Sequence, residues 1–444
     1  MKVLLINLSL RPDSDQCIFP IGLGYIATAI DNAGFDMELL DIDINKYDYG
    51  QTRDILKTKQ FDVVAFGCIV TGYTIVKWIS KTIKEINPKA VIICGNSVAS
   101  SIPNILLDNT DVDIVIDGEG ERAIIHVLTE LKIFNHHKHD VYTFPVIKDI
   151  NRIPSINWDL FDMDTYIIRN RESISKPLPV PYEELRAMPV NSARGCLFKC
   201  TFCYQAFYGQ PYRYRSKEVL EAEIIKLKEK YNINYITFYD DLTLFSKRRA
   251  EEFIAMLTGK GIYWTACCRG NLFTRQDHDL LKRLKDSGCV SLGYSLESAD
   301  ENILKAMNKK LKLEEFAEQK KALDEVGIAT VTSIVIGYPQ ETEESLKKTY
   351  DFCYDNGIYP STGYLQPQPG TPMYEYAKKY GYILDEEEYL MRMGDRQDLR
   401  LNMSRIPTDK LEPLVFEHLK RIRDKLKLPL KDDELIKTGV VRGR

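Results

Sequence analysis

What the chain lacks narrows its class first. No apolar stretch among its 444 residues approaches the ~20 needed to cross a bilayer, so no membrane span is expected. The opening run Met1-Lys2-Val3-Leu4-Leu5-Ile6-Asn7 is short and apolar, without signal-peptide architecture. Charge of one sign is also missing: 60 Lys and Arg face 64 Asp and Glu, for a net charge of −4. That leaves no broad basic surface and counts against nucleic acid as the main partner. The ten cysteines form no secreted disulfide framework, because they are scattered apart from Cys196, Cys200, Cys203 and the adjacent Cys267 and Cys268. A reducing, cytoplasmic setting is expected. No GxGxxG follows the first apolar run, which counts against a dinucleotide turn. What remains, 44% hydrophobic and 28% charged residues, is an ordinary globular composition. The length is too great for one core, and about two or three domains are expected.

The most informative stretch is Arg194-Gly-Cys-Leu-Phe-Lys-Cys-Thr-Phe-Cys-Tyr204. Its cysteines, Cys196, Cys200 and Cys203, are separated by three residues and then two. Thiolates this close in sequence can converge on one iron–sulfur cluster. A cubane has one iron more than this loop can ligate, and that iron is open to an outside ligand, as the fourth position of a catalytic zinc is. A structural zinc site or three buried thiols are the alternatives; zinc, however, usually wants a fourth Cys or His at short spacing, and none lies nearby.

At these residues the chain resembles the radical S-adenosylmethionine (SAM) enzymes. The pattern is CxxxCxΦC, with Phe202 as the aromatic. The resemblance implies a 4Fe–4S cluster on the three cysteines. It also implies SAM chelating the open iron, and reductive cleavage of the sulfonium to a 5′-deoxyadenosyl radical in a dry pocket.

Residues 1–134 alternate strand candidates (3–8, 37–41, 63–67, 91–94, 113–116) with helical ones (22–32, 53–59, 73–86, 102–107, 121–131). That rhythm predicts an α/β domain, a doubly wound parallel sheet of Rossmann type. Ligands of such sheets sit beyond the strand carboxyl ends. There the loops 9–20, 68–72, 95–101 and 117–121 are rich in Gly, Ser, Thr and Asn. Pro20-Ile-Gly22-Leu-Gly-Tyr-Ile-Ala27 and Asp117-Gly118-Glu119-Gly-Glu121 resemble the cobalamin-binding domain that precedes many radical SAM modules. The resemblance implies cobalamin contacts at Pro20, Gly22, Thr71, Gly95, Gly118 and Glu119. One departure matters: the Asp-x-His-x-x-Gly motif, whose His ligates cobalt from below, is absent, and His126 sits inside a helical pattern. Many radical SAM relatives also lack that His and hold cobalamin without it. A degenerate scaffold that binds nothing is the alternative.

Residues 135–186 read as a linker, with the polar His tract at 136–139 and a Pro-rich stretch at 177–181. From 187 to 383 six β/α units predict a partial (β/α)6 barrel of radical SAM type. Barrel chemistry sits at the carboxyl ends of strands, and the cysteine loop follows the first. The later strand ends carry Tyr239 and Asp240, Arg269 and Asn271, Ser295 and Glu297, then Gly337 and Pro339. The resemblance implies SAM contacts at these residues and at Phe202: carboxylate or backbone for the ammonium, Arg269 and Asn271 for the carboxylate or ribose, Glu297 for the ribose hydroxyls, and Gly337–Pro339 for adenine. Cys267 and Cys268 are read as core and neighbour, since adjacent strand residues face opposite sides. Residues 384–444 lose the rhythm and read as a small helical region, with an amphipathic helix at 411–426 and a basic tail.

The function these features imply is a radical SAM enzyme, a cobalamin-dependent methyltransferase acting on an unactivated carbon or phosphorus of a small-molecule or peptide substrate. Flavodoxin or ferredoxin is the expected class of electron donor. Two alternatives stand beside it: a non-methylating rearrangement or cyclisation, and a non-catalytic iron–sulfur or metal-binding protein.

Overall fold

The computed structural model of the chain describes residues 1–12, 14, 16–134, 140–174, 176–205 and 209–436. The histidine tract at 136–139 and the tail at 442–444 lie outside the described residues. Two compact units result. The first gathers Met1–Arg169, Tyr204–Arg213 and Ile383–Gly394; the second gathers Asn170–Cys203, Tyr214–Tyr382 and Asp395–Arg444.

The first unit is a parallel sheet of β1 (Lys2–Asn7), β2 (Asp36–Asp41), β3 (Val63–Gly67), β4 (Val91–Gly95), β5 (Ile114–Asp117) and β6 (Asp140–Thr143). Their order is β2-β1-β3-β4-β5-β6, and every pairing is parallel. The inner strands are near-continuous Val, Ile, Leu and Phe, because helices cover both faces and no face meets water. The helix Tyr73–Ile86 shows how the sequence sets this up. Tyr73, Val76, Ile79 and Ile83 recur at helical spacing and are all fully buried. The chain steps from β1 out to β2 and then back across to β3, so the carboxyl ends of β1 and β3 flank the switch point where α/β sheets bind ligands.

Three features depart from the sequence reading. The edge strand β6 was expected to be linker; it pairs with β5 from Ile114↔Asp140 to Asp117↔Thr143. The rest of the expected linker up to Arg169 belongs to this unit, because Trp158, Phe161 and Tyr166 surround Phe19 at ring separations of 4.7, 4.8 and 5.0 Å. The helix Glu386–Arg392 returns to this unit as well: Tyr73 donates to Glu387 at 3.1 Å, Lys77 pairs with the same carboxylate, and Leu390 and Met393 enter the core.

The second unit has strands β7 (Ala187–Val190), β8 (Tyr235–Phe238), β9 (Tyr263–Cys267), β10 (Cys289–Gly293), β11 (Ala329–Val331), β12 (Ser333–Ile336) and β13 (Ser361–Tyr364). All pair in parallel in sequence order, with β7 through β11 in one sheet and β12 with β13 in another. The fifth stave, expected as one strand over 330–336, is broken between β11 and β12; Glu297 bridges to Ile334 across the gap. This is the expected partial barrel of six staves. The helix Thr408–Leu426 buries Leu411, Val415, Leu419 and Ile422 and packs on Glu343–Asp355. There His418 stacks on Tyr350 at 4.9 Å, Arg421 pairs with Asp351, and Lys425 lies 3.8 Å over the Tyr354 ring. The basic C-terminal stretch is thus engaged by its own unit.

Candidate functional site

The cysteine loop leaves the carboxyl end of β7 through Gly195, whose φ of 85° lies in the left-handed region open to glycine. Cys200 is buried; Cys196 and Cys203 are partly so. None of the ten cysteines is in a disulfide. Burial pushes the Cys203 thiol up to about 12, and the charges of Asp241, Cys200, Cys196 and Glu297 push the same way. Cys196 is raised too, by burial first and then by Asp241 and Cys200, against a backbone N–H from Phe198 and the charge of Arg269. The three thiols therefore sit within electrostatic reach of one another. The charges acting on Cys267 are those of Asp240 and Asp241 and not of the loop thiols, which keeps it outside the set. Among the described residues no three His, Cys, Asp or Glu side chains converge on a single-ion site. Thiolates that bind separate irons of one cluster do not have to meet at one point.

The loop is braced from several directions. Thr201 donates through N to the Met307 carbonyl (3.0 Å) and through Oγ1 to that of Ala306 (2.9 Å), and its hydroxyl lies 2.8 Å from Tyr338 Oη. Asn308 Nδ2 donates to the Lys199 carbonyl at 2.8 Å. Phe202 meets the Tyr338 ring edge-on at 6.3 Å.

The other strand ends sort into contacts and supports. Asp240 was expected at the SAM ammonium, but its carboxylate is engaged locally. It accepts from Ser192 N (2.8 Å), Ala193 N (3.1 Å), Asn191 Nδ2 (3.1 Å) and Ser192 Oγ (2.5 Å), fixing the turn that feeds the cysteine loop. It is the charge of Asp241, and not that of Asp240, that acts on the Cys196 and Cys203 thiols. Among the described residues the exposed Asp241 carboxylate makes no hydrogen bond or ion pair. Tyr239 is 55% exposed. Arg269 stacks on Phe198 of the cysteine loop, 3.8 Å from the ring centroid. It also donates to the Lys309 and Lys310 carbonyls, and its buried Nε has no hydrogen-bond partner among the described residues. Asn271 is exposed and bonded to Glu315 at 3.0 Å, which turns it to a support role. Ser295 is half-buried with no side-chain hydrogen bond among the described residues. Glu297 is buried at a φ of 65° and pairs through Oε1 with Lys309 Nζ at 2.8 Å. Gly337, at a φ of 106°, donates to Glu341 Oε2 at 2.6 Å, and this holds the loop that runs to the half-buried Pro339.

This donor set fits the expected groups. Three neighbouring thiols suit a cluster. Two carboxylates beside them, one unpaired and one with an oxygen to spare, suit a cationic cosubstrate, and an unsatisfied guanidinium nitrogen suits its carboxylate.

In the first unit the carboxyl ends of the strands form an open cradle. A Cβ added at Gly22, Gly95 or Gly118 would meet nothing within 4 Å. Leu10, Ile18 and Ile69 in the loops after β1 and β3 are 40, 36 and 43% exposed and give these strand ends an apolar rim. Pro20 heads the helix Ile21–Asn32, and Thr71 lies half-buried in the turn Val70–Gly72. Glu119 is a correction. It is buried and bound to Arg213 at 2.9 and 3.0 Å and to the Ile147 N–H, so it braces the unit and does not face the cradle. His126 lies on the outer helix Gly120–Phe134, half-exposed and 3.3 Å from Glu130.

Comparisons with known proteins follow the same division. The family model of the radical SAM superfamily matches residues 190–353, and that of the B12 binding domain matches residues 12–128. The chain thus carries a radical SAM domain with a B12-binding domain ahead of it in sequence. An uncharacterised methyltransferase of Pyrococcus horikoshii is 27% identical to it over 376 residues, 81% of this chain and 78% of that protein. The cytidylyl-2-hydroxyethylphosphonate methyltransferase of Streptomyces wedmorensis is 26% identical over 463 residues, 90% of this chain and 85% of that one. Among solved structures, the radical SAM methyltransferase TsrM of Kitasatospora setae, with tryptophan and a SAM analogue bound, superposes with a TM-score of 0.63 at 18% identity. The match covers 86% of this radical SAM protein and 77% of TsrM, and it establishes the fold.

Proposed function

We propose that this protein is a cobalamin-dependent radical SAM methyltransferase. The observation that carries the reading is the joint presence, in one chain, of the braced three-cysteine loop and an open strand-end cradle in a B12-binding domain. The relatives named as methyltransferases point the same way. When bound, the cluster, SAM and cobalamin together supply one-electron cleavage of a sulfonium, a hydrogen-abstracting radical and a methyl donor.

The chain's own residues have the following roles. Cys196, Cys200 and Cys203 hold the cluster, and the hydrogen bonds to Lys199 and Thr201 fix their backbone. Asp241 offers its carboxylate to the SAM ammonium, with Tyr239 beside it, and Arg269 offers Nε to the carboxylate. Glu297 keeps Oε2 for a ribose hydroxyl, with Ser295 next to it, and Gly337–Pro339 present a glycine edge to adenine. Phe202 and Tyr338 exclude water from the loop's underside. Pro20, Gly22, Thr71, Gly95 and Gly118 let the backbone approach the corrin closely. The substrate is a small molecule or a peptide, methylated at an unactivated carbon or phosphorus. The electron comes from a flavodoxin or ferredoxin in a reducing, cytoplasmic setting. Among the described residues no helix is long and apolar enough to cross a membrane.

The test is anaerobic purification with cobalamin supplied, then cluster reconstitution, spectra and SAM turnover. A corrin absorption signature with about four iron per chain, together with 5′-deoxyadenosine and S-adenosylhomocysteine among the products, is expected; Cys200→Ala is expected to lose the iron and the cleavage. A protein that retains no cobalamin refutes the methyl-transfer reading. One that forms 5′-deoxyadenosine without S-adenosylhomocysteine points to rearrangement.

A further inference from the structure

The turn Ala306-Met307-Asn308-Lys309-Lys310 touches both the cysteine loop and the buried carboxylate of Glu297. On one side, the carbonyls of Ala306 and Met307 receive Thr201, and Asn308 Nδ2 reaches the Lys199 carbonyl at 2.8 Å. These bonds bracket Cys200 in sequence. On the other side, Lys309 Nζ donates to Glu297 Oε1 at 2.8 Å, with the two side chains 9% and 7% exposed. Arg269 ties the two sides together. It stacks on Phe198 and donates to the carbonyls of Lys309 and Lys310.

The turn's shape is not one that side chains adopt by default. Asn308 and Lys310 have φ of 51° and 49°, and Glu297 has 65°. Three left-handed, side-chain-bearing residues in one contact network mark a conformation over-determined by its surroundings, and such conformations gather at functional sites. The electrostatics give Lys309 a defined task. A buried carboxylate without a counter-charge goes neutral or turns to solvent. Lys309 on Oε1 gives the buried Glu297 carboxylate a counter-charge and fixes its orientation. Its Oε2 has no hydrogen-bond partner among the described residues.

We propose that this turn is a two-sided positioning element. Asn308 sets the cysteine loop for cluster assembly, and Lys309 sets Glu297 to accept a hydrogen bond from SAM. The second half rests on the role given to Glu297 above.

The test uses the full-length protein, reconstituted anaerobically, with two readouts: iron per chain, and SAM affinity followed by the SAM-induced change in the electron paramagnetic resonance of the reduced cluster. Asn308→Gly keeps the left-handed backbone and removes only the amide. It is expected to lower iron loading at least twofold and to leave the SAM affinity of loaded protein unchanged. Lys309→Met is expected to keep the iron and weaken SAM binding by about tenfold or more, and Lys309→Arg to restore it. Should Lys309→Met not fold, Lys309→Gln, which keeps a donor and drops the charge, is read with the same expectation. Full iron loading by Asn308→Gly overturns the cluster half. If the Lys309 variants bind SAM like the parent while Glu297→Gln binds it poorly, the Lys309 half fails and Glu297 keeps its role. If Glu297→Gln also binds normally, the reading of Glu297 falls with it.

Discussion

Glu341 gives the sharpest quantitative prediction. Its side chain is 1% exposed and accepts from Gly337 N at 2.6 Å and from the Tyr338 N–H, so it shapes the loop after β12. Burial raises its pKa from the ordinary 4.5 to about 7; Asp300 adds to the rise, and the two backbone donors oppose it. The folded state therefore holds the proton more tightly than the unfolded chain. That contribution to stability is fully present below about pH 4.5 and is lost as pH rises through 7. The rise from 4.5 to about 7 corresponds to roughly 3 kcal/mol. Glu341→Gln has no such proton to lose. Urea unfolding between about pH 5 and 8.5 should show the parent falling by roughly 3 kcal/mol relative to Glu341→Gln. Parallel pH profiles would refute the reasoning, because they would mean that the two backbone N–H groups already hold the carboxylate ionised at pH 5.

Three further outcomes are expected. Arg213→Met removes the guanidinium paired with Glu119, the two side chains being 6% and 2% exposed. It should cost about 3–5 kcal/mol in denaturant unfolding, and the added Glu119→Gln should recover most of that. Gly72→Ala would put a Cβ 2.3 Å from Cys68 Sγ and 2.6 Å from Leu10 Cδ2. It should lower stability by about 1–3 kcal/mol, measured as a shift in urea midpoint. Gly95 has ordinary extended backbone and an open face. Gly95→Ala should leave the urea midpoint within the equivalent of about 0.5 kcal/mol while cobalamin retention on a desalting column falls by about tenfold.

The local features could be read from the chain directly. The spacing of Cys196, Cys200 and Cys203 is a property of eight consecutive residues. The apolar runs of β1, β3 and β4 declare strands buried on both faces, and Gly22, Gly95 and Gly118 mark open strand ends. A short, polar edge strand such as β6, Asp-Val-Tyr-Thr, carries no such period and takes its structure from pairing with β5. The helix Glu386–Arg392 likewise reads as surface until Tyr73 and Lys77, more than 300 positions earlier, supply its partners.

The sequence alone determined the spacing of the three cysteines, the two α/β rhythms and the residue types gathered at the strand ends, since each depends on neighbours a few positions apart. Only the tertiary structure decided which of Asp240 and Asp241 acts through its charge on the thiols, that Glu119 is bound to Arg213, and that Lys309 holds Glu297. The facing of a side chain and the partner of a buried charge depend on segments far apart in the chain, and distance along the backbone carries no information about them.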